Sequence, residues 1–220
     1  MVDTWEAVSE AGKLSTPELL VAAQAEAIQA GPDDPEPHLV ALHQRPTPEV
    51  FDAATELIAS TDPADRTVGV RILRELGAAD DAGRRPFSDM AVPLLQALLR
   101  QERDARVLQW AISALGFNTA REALAEVLRF AEHSDAGVRF AVAAALPSLV
   151  DPEQIEPAAA TALLALCKDD NPETRYYALY ALLDEVAGLD PDQLALTLGA
   201  LRDDPDEQIR AMARAGRTDG

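Results

Sequence analysis

Asp170-Asn171-Pro172-Glu173-Thr174-Arg175-Tyr176-Tyr177-Ala178 and Asp204-Pro205-Asp206-Glu207-Gln208-Ile209-Arg210-Ala211-Met212-Ala213 follow one pattern. Each has an Asp or Asn suited to accept a backbone N–H at a helix start, an acid in the first turn, and an Arg four residues beyond the Asp or Asn. Asn171-Pro172-Glu173 presents all three start signals in order. Working outward, five copies can be laid over one another, beginning at Asp65, Asp104, Asp135, Asn171 and Asp206. Four residues after each stands Gly69, Leu108, Arg139, Arg175 or Arg210, so the copies are offset by 39, 31, 36 and 35 residues. A quasi-period of that size is the signature of stacked helical hairpins.

Two kinds of amphipathic segment alternate from Thr47 onward. The first carries stripes such as Val50, Ala53, Ala54, Leu57, Ile58 and Phe87, Ala91, Leu94, Leu95, Leu98. Later stripes are Ala120, Leu124, Val127, Leu128, Ala131, then Ala160, Leu163, Leu164, Cys167, then Leu194, Leu198, Leu201. Spacings of three and four residues bury one face of a helix. In the second kind the buried positions are predicted at Val68, Ile72, Leu76; Val107, Ala111, Leu115; Val138, Val142, Leu146; Thr174, Ala178, Leu182; and Ile209, Ala213. Pro147 at the end of the third copy predicts that its helix stops or kinks just before that residue.

Residues 1–46 stand outside the pattern and are read as an acidic helical cap, leaving 47–220 for the repeats. Thr16-Pro17-Glu18 reads as a helix start with Thr16 as its cap, the helix running to about Ala30. Gly31-Pro32-Asp33-Asp34-Pro35 breaks it, and a short helix over Glu36 to His43 follows.

The chain of 220 residues has 38 acids against 19 bases, a net charge of −19, with 48% apolar and 5% aromatic residues. Such a field repels phosphate backbones and anionic membrane surfaces, and it favours encounter with a basic protein. Cys167 is the single cysteine, so no internal disulfide is possible. The opening Met1-Val2-Asp3-Thr4-Trp5-Glu6 is acidic where a signal peptide is basic, and no run approaches a membrane span, so a cytoplasmic location is expected.

The segments quoted at the outset resemble the second helix of a HEAT repeat, in particular the short HEAT-like class named after phycobiliprotein lyases; the resemblance covers about residues 47–217. It implies an all-α, right-handed solenoid of about five hairpins, with first helices on the convex side and second helices lining a concave groove used for protein binding. It also implies that the second-helix Arg pairs with an acid of a neighbouring repeat, here through Arg139, Arg175 and Arg210; Gly69 and Leu108 leave the first two copies without one.

No phosphate-binding Gly loop, zinc-binding His pair or nucleophile turn occurs. Cys167 shares the apolar stripe of Leu163 and Leu164 and reads as a buried, inert thiol. Asp169-Asp170-Asn171-Pro172-Glu173 resembles the start of a calcium loop but has Thr174 and Tyr180 where Gly and Glu are required, and Glu132, His133 and Asp135 read as a turn. No metal or cofactor is expected. Five aromatics, Trp110, Phe140, Tyr176, Tyr177 and Tyr180, fall one, two or five residues after the Arg register and are expected on the groove side of the second helices. The expected function is a non-enzymatic protein–protein interaction scaffold or adaptor for a basic protein. Two alternatives stand beside it: an immunity protein that neutralises a basic toxin, and a lyase-like enzyme or chaperone that handles a bilin-type molecule.

Overall fold

The computed structural model describes residues 4–29, 31 and 34–216. Among them are thirteen α-helices and no strand. Ala30, Pro32 and Asp33 of the expected helix end and breaker lie outside the described residues, as do Met1–Asp3 and 217–220. The chain divides into two compact units, Met1–Asn118 and Thr119–Gly220.

The first unit holds α1 (Thr4–Ala11), α2 (Thr16–Gln29) and α3 (Pro37–His43), then the hairpins α4 (Pro48–Ile58) with α5 (Pro63–Glu75) and α6 (Ser88–Gln101) with α7 (Ala105–Phe117). The cap of α2 is Ser15 rather than Thr16. The Ser15 N–H and hydroxyl donate to the Glu18 carboxylate at 2.8 and 2.6 Å, and Leu19 N–H donates to the Ser15 carbonyl. Thr16 lies inside the helix, buried, its hydroxyl donating to Glu49 at 3.0 Å. The start of α3 is capped from a distance: Glu26 of α2 accepts the backbone N–H groups of His38 and Leu39. α2 and α3 both pack on α5, and α5 packs on α7.

Gly69 governs how closely α4 and α5 approach. A Cβ there would stand 2.7 Å from the Ala54 carbonyl oxygen and 2.9 Å from the Ile58 nitrogen, closer than real carbons come. Further along, buried Asn118 ties three helices together. Its Oδ1 accepts from the Ser88 hydroxyl at 2.7 Å, and its amide donates to the Leu73 and Ala114 carbonyls at 3.2 and 2.8 Å. With its donors and acceptor matched, the buried amide has its desolvation cost offset.

The second unit begins with a 3-10 turn at Arg121–Ala123 and a short α8 (Leu124–Leu128) paired with α9 (Ala136–Leu149). Two more hairpins follow, α10 (Pro157–Leu166) with α11 (Pro172–Tyr180), and α12 (Pro191–Leu201) with α13 (Glu207–Ala215). α9 packs on α11 and α11 on α13. Pro147 does not end α9, which continues to Leu149; so close to the C-terminus, Pro forfeits one backbone bond and the tertiary packing of Leu146 and Leu149 holds the last turn. α11 leads into a π-turn, Ala181–Glu185, closed by Val186 N–H on the Ala181 carbonyl at 3.1 Å.

Every second-helix position predicted as buried is so, from Val68, Ile72 and Leu76 to Ile209 and Ala213. On the first helices the stripes are narrower: in α6 the core side chains are Ala91, Val92, Leu95 and Leu99, with Leu94 and Leu98 half-buried. Replacing Gly69 with Ala is expected to destabilise the protein by about 2 kcal/mol, the cost of overpacking a closed helix pair. Urea denaturation measures it, and Gly199→Ala, where a Cβ meets nothing within 4 Å, serves as the tolerant control.

Candidate functional site

Each second helix opens on a side-chain cap. Asp104 Oδ1 accepts Val107 N–H at 3.1 Å, Asp135 Oδ1 accepts Val138 N–H at 3.0 Å, and Asn171 Oδ1 accepts Thr174 N–H at 3.1 Å. Asp206 Oδ1 accepts Gln208 and Ile209 N–H at 2.8 and 3.1 Å. In the first copy the cap is Asp62, which accepts Ala64 N–H at 2.9 Å, and not Asp65. Asp65 lies one turn into α5, where it accepts from Gln24 at 2.6 Å and from the Ser60 hydroxyl at 2.9 Å.

That correction changes the arginine register. Four residues after Asp62 stands Arg66, so Gly69 was never its counterpart; Gly69 occupies the small mid-helix position held elsewhere by Ala111, Ala178 and Ala213. An Arg at this spacing sits one turn above its cap and folds back over the preceding loop. The Nη1 of Arg66 donates to the Ser60 and Thr61 carbonyls at 3.1 and 3.0 Å. Arg139 does the same to His133 and Ser134 (2.8 and 3.1 Å), Arg175 to Asp169 and Asp170 (2.9 and 3.1 Å), and Arg210 to Asp204 and Pro205 (2.7 and 2.9 Å).

The other edge of each guanidinium reaches the next copy. Arg66 forms a two-pronged pair with Glu102 at 2.7 and 3.0 Å, Arg139 with Asp169 at 2.5 and 3.0 Å, and Arg175 with Asp204 at 2.8 Å on both prongs. Each acid stands two residues before the cap of its own copy and also accepts the cap's backbone N–H: Asp104 on Glu102 at 2.9 Å, Asn171 on Asp169 and Asp206 on Asp204 at 2.8 Å. Leu108 remains a gap in the arginine slot, and His133 stands in the acid slot of the following copy.

These bonds set the protonation of the carboxyls. The Arg175 bond holds Asp204 below the ordinary carboxylate range against its burial. Burial pushes Asp169 and Glu102 upward, and the arginine and backbone donors outweigh it, leaving both below the ordinary range. The Asp169 carboxylate is thus occupied by protein donors. Among the described residues no three His, Cys, Asp or Glu are grouped to hold a metal ion. Burial pushes the Cys167 thiol up to about 12, so it is an unreactive thiol at neutral pH.

Three of the five aromatics come together. Phe140 of α9 meets Tyr177 of α11 edge to face, with centroids 5.0 Å apart at 85°, and Tyr176 meets Tyr177 at 5.6 Å and 70°. Phe140, Tyr176 and Tyr177 line an open recess of about 570 Å3 with Pro172, Glu173, Asp206 and Gln208. Tyr180 is exposed on α11 without lining that recess, and Trp110, in the first unit, lies beneath Arg71. Glu173, Asp206 and Gln208 could not be chosen from the sequence, because an acid in a first helical turn reads as a dipole partner or a cap.

Residues 91–182 match the family of HEAT repeats. That stretch of the chain is built of HEAT repeats. No curated protein matches the chain in sequence. Among solved structures, YibA of Escherichia coli is 16% identical, with 98% of this chain and 74% of that one covered at a TM-score of 0.74. A designed armadillo repeat protein in complex with the peptide (KR)4 is also 16% identical, covering 92% of this chain and 98% of its own at 0.63. The phycocyanin lyase complex of CpcE and CpcF from Nostoc sp. PCC7120 is 17% identical, with 96% and 86% covered at 0.50. At these identities the likeness is one of fold, the all-α helical-repeat architecture.

Breaking the buried pair by Asp204→Ala is expected to cost about 3 kcal/mol, because it strands the Arg175 charge, whereas Arg210→Ala loses only bonds to backbone carbonyls and costs about 1 kcal/mol. The pH dependence has a definite sign. Carboxyls depressed in the folded state contribute stability that is complete above their unfolded values of about 3.9 to 4.3 and drains away as pH falls through the folded ones. Urea resistance of the protein should therefore decline below about pH 4, with a shallower decline in Asp204→Ala.

Proposed function

We propose that this protein is a non-enzymatic interaction module that binds a basic segment of a partner protein. The recess formed by Phe140, Tyr176 and Tyr177 with Glu173 and Asp206 carries the reading. Aromatic faces attract Lys and Arg side chains through the ring quadrupole, and carboxylates at the rim answer the charge. Tyr177, packed against Phe140 and Tyr176, is still 42% exposed and leaves ring surface for a partner. The net charge of −19 favours encounter with such a segment over long range. The designed armadillo protein of similar fold that holds (KR)4 lends support by analogy of architecture.

The first helices and the ladder hold the second helices in place, so α9, α11 and α13 present these side chains on a rigid support. Binding would add contacts to backbone already folded, so that the ordering cost on this side is confined to side chains. The likeness to the phycocyanin lyase complex is one of fold at 17% identity and adds no separate support for bilin chemistry.

Titration calorimetry with an alternating Lys-Arg octapeptide tests the proposal. Binding is expected to weaken steeply between low and physiological salt. The double change Tyr176→Ala and Tyr177→Ala should lower affinity by about tenfold or more, as truncation of aromatic hot spots does, while the melting temperature holds. No binding at low salt, or full binding by the double variant, would sink the proposal.

A further inference from the structure

In a chain whose acids outnumber its bases by two to one, three arginines converge on two aromatic rings of the first unit. The Arg71 guanidinium carbon lies 4.6 Å from the centroid of Trp110. That of Arg74 lies 5.6 Å from Trp110 and 3.4 Å from Phe117, and that of Arg85 lies 6.0 Å from Phe117. Two carboxylates answer them. Glu36, at the start of α3, accepts both terminal nitrogens of Arg71, one at 2.8 Å, and Glu75 accepts from Arg74. Arg85 donates to the Gly77 carbonyl. The Nε of Arg71 and the Nε of Arg85 are buried and have no acceptor. A buried charged donor without an acceptor costs stability, so the cluster is held against that cost.

Beside the cluster is a recess of about 210 Å3, lined by Glu36, Leu39, Val40 and His43 of the α3 region, Arg71, Arg74 and Glu75 of α5, and Trp110 of α7, so that two arginines and two glutamates share its wall. His43 is neutral here: it donates from Nε2 to the Arg71 carbonyl at 2.9 Å. Burial, then the charges of Arg74, Arg71 and Arg85, hold its pKa down at about 4. Burial, then Arg71 and Arg85, bring Arg74 down to about 10. Burial is the first cause of both shifts and the neighbouring guanidinium groups add to it, three arginines standing here against two glutamates.

We propose that the recess between α3, α5 and α7 binds a small oxyanion, a carboxylate or phosphate group, on the guanidinium groups of Arg71 and Arg74, with Glu36 on Arg71 and Glu75 on Arg74 as resident carboxylates that compete for the same donors. A guanidinium fork, planar by its own delocalisation, matches two oxygens of such a group, and an indole behind it shields it from water. The site is independent of the acidic recess of the second unit, and it calls for the opposite charge.

The test uses succinate and inorganic phosphate against chloride at matched ionic strength, read by melting temperature and by NMR titration of the His43 imidazole. The wild-type protein is expected to melt higher in one or both test anions than in chloride, and the His43 midpoint to move up from about 4 as the added negative charge offsets the arginines. Which anion acts distinguishes a carboxylate site from a phosphate site. Glu36→Gln removes the competitor on Arg71: its melting temperature falls in chloride and recovers in the active anion, with affinity about tenfold above wild type for the repulsion relieved. Arg85→Gln keeps the Arg71–Glu36 pair and should weaken the anion about fivefold by removing one nearby charge. If the cluster merely staples α3 to α5, Glu36→Gln loses stability equally in all three salts and His43 titrates the same in each. That result, or an anion effect unchanged in Arg85→Gln, overturns the proposal.

Discussion

A loop between two helices leaves carbonyl oxygens without partners, and in this protein a single guanidinium takes two of them while its other edge takes a carboxylate of the next copy. Arg66, Arg139 and Arg175 all do this, and the acids they reach, Glu102, Asp169 and Asp204, in turn accept the N–H of the next cap. One charged group thus satisfies its own loop and fixes the spacing of the following one. In a repeat protein each hairpin has only its neighbours to pack against, so an interaction that sets the distance between neighbours sets the architecture within each unit. The apolar stripes would tolerate several spacings; a two-pronged ion pair tolerates few.

The same chemistry explains much of an acid content that looks excessive at 38 residues. Asp62, Asp104, Asp135 and Asp206 are caps, and Glu102, Asp169 and Asp204 are ladder acids. Asp206 belongs to a second class as well, since it caps α13 and lines the recess beside Phe140, Tyr176 and Tyr177. Structural acids therefore place negative charge where second helices begin, and a row of aromatic side chains on those helices meets it. The first unit uses its aromatics differently: Trp110 and Phe117 lie against arginines.

The hairpin repeat was legible because helical burial and capping leave periodic traces. The register of its first copy was not. Asp62 and Asp65 are three residues apart, close to one helical turn, so both alignments bury the same face: Val68, Ile72 and Leu76 are buried, and so are Gly69 and Leu73. Hydrophobic periodicity cannot separate two such registers. The Asp-Pro at 62 and 63 carried the right signal, a cap followed by Pro, and the arginine four residues later would have completed it. The cap of α2 was misplaced by one residue for another reason: Ser15 and Thr16 are adjacent and both are cap-forming types, and Ser15 is the one whose N–H and hydroxyl meet Glu18.

By itself the sequence determined the alternation of helices from Thr47 onward, the count of hairpins and which faces of the second helices are buried, because each depends on residues within one or two turns of one another. Tertiary structure alone decided which acid each arginine meets 29 to 36 residues away, and which aromatics share a recess. It also decided that Arg71, Arg74 and Arg85, scattered along α5 and the loop after it, crowd around Trp110 and Phe117. Such meetings depend on the angle and distance at which helices pack, and these follow from side-chain fit summed over the whole contact, which no local pattern encodes.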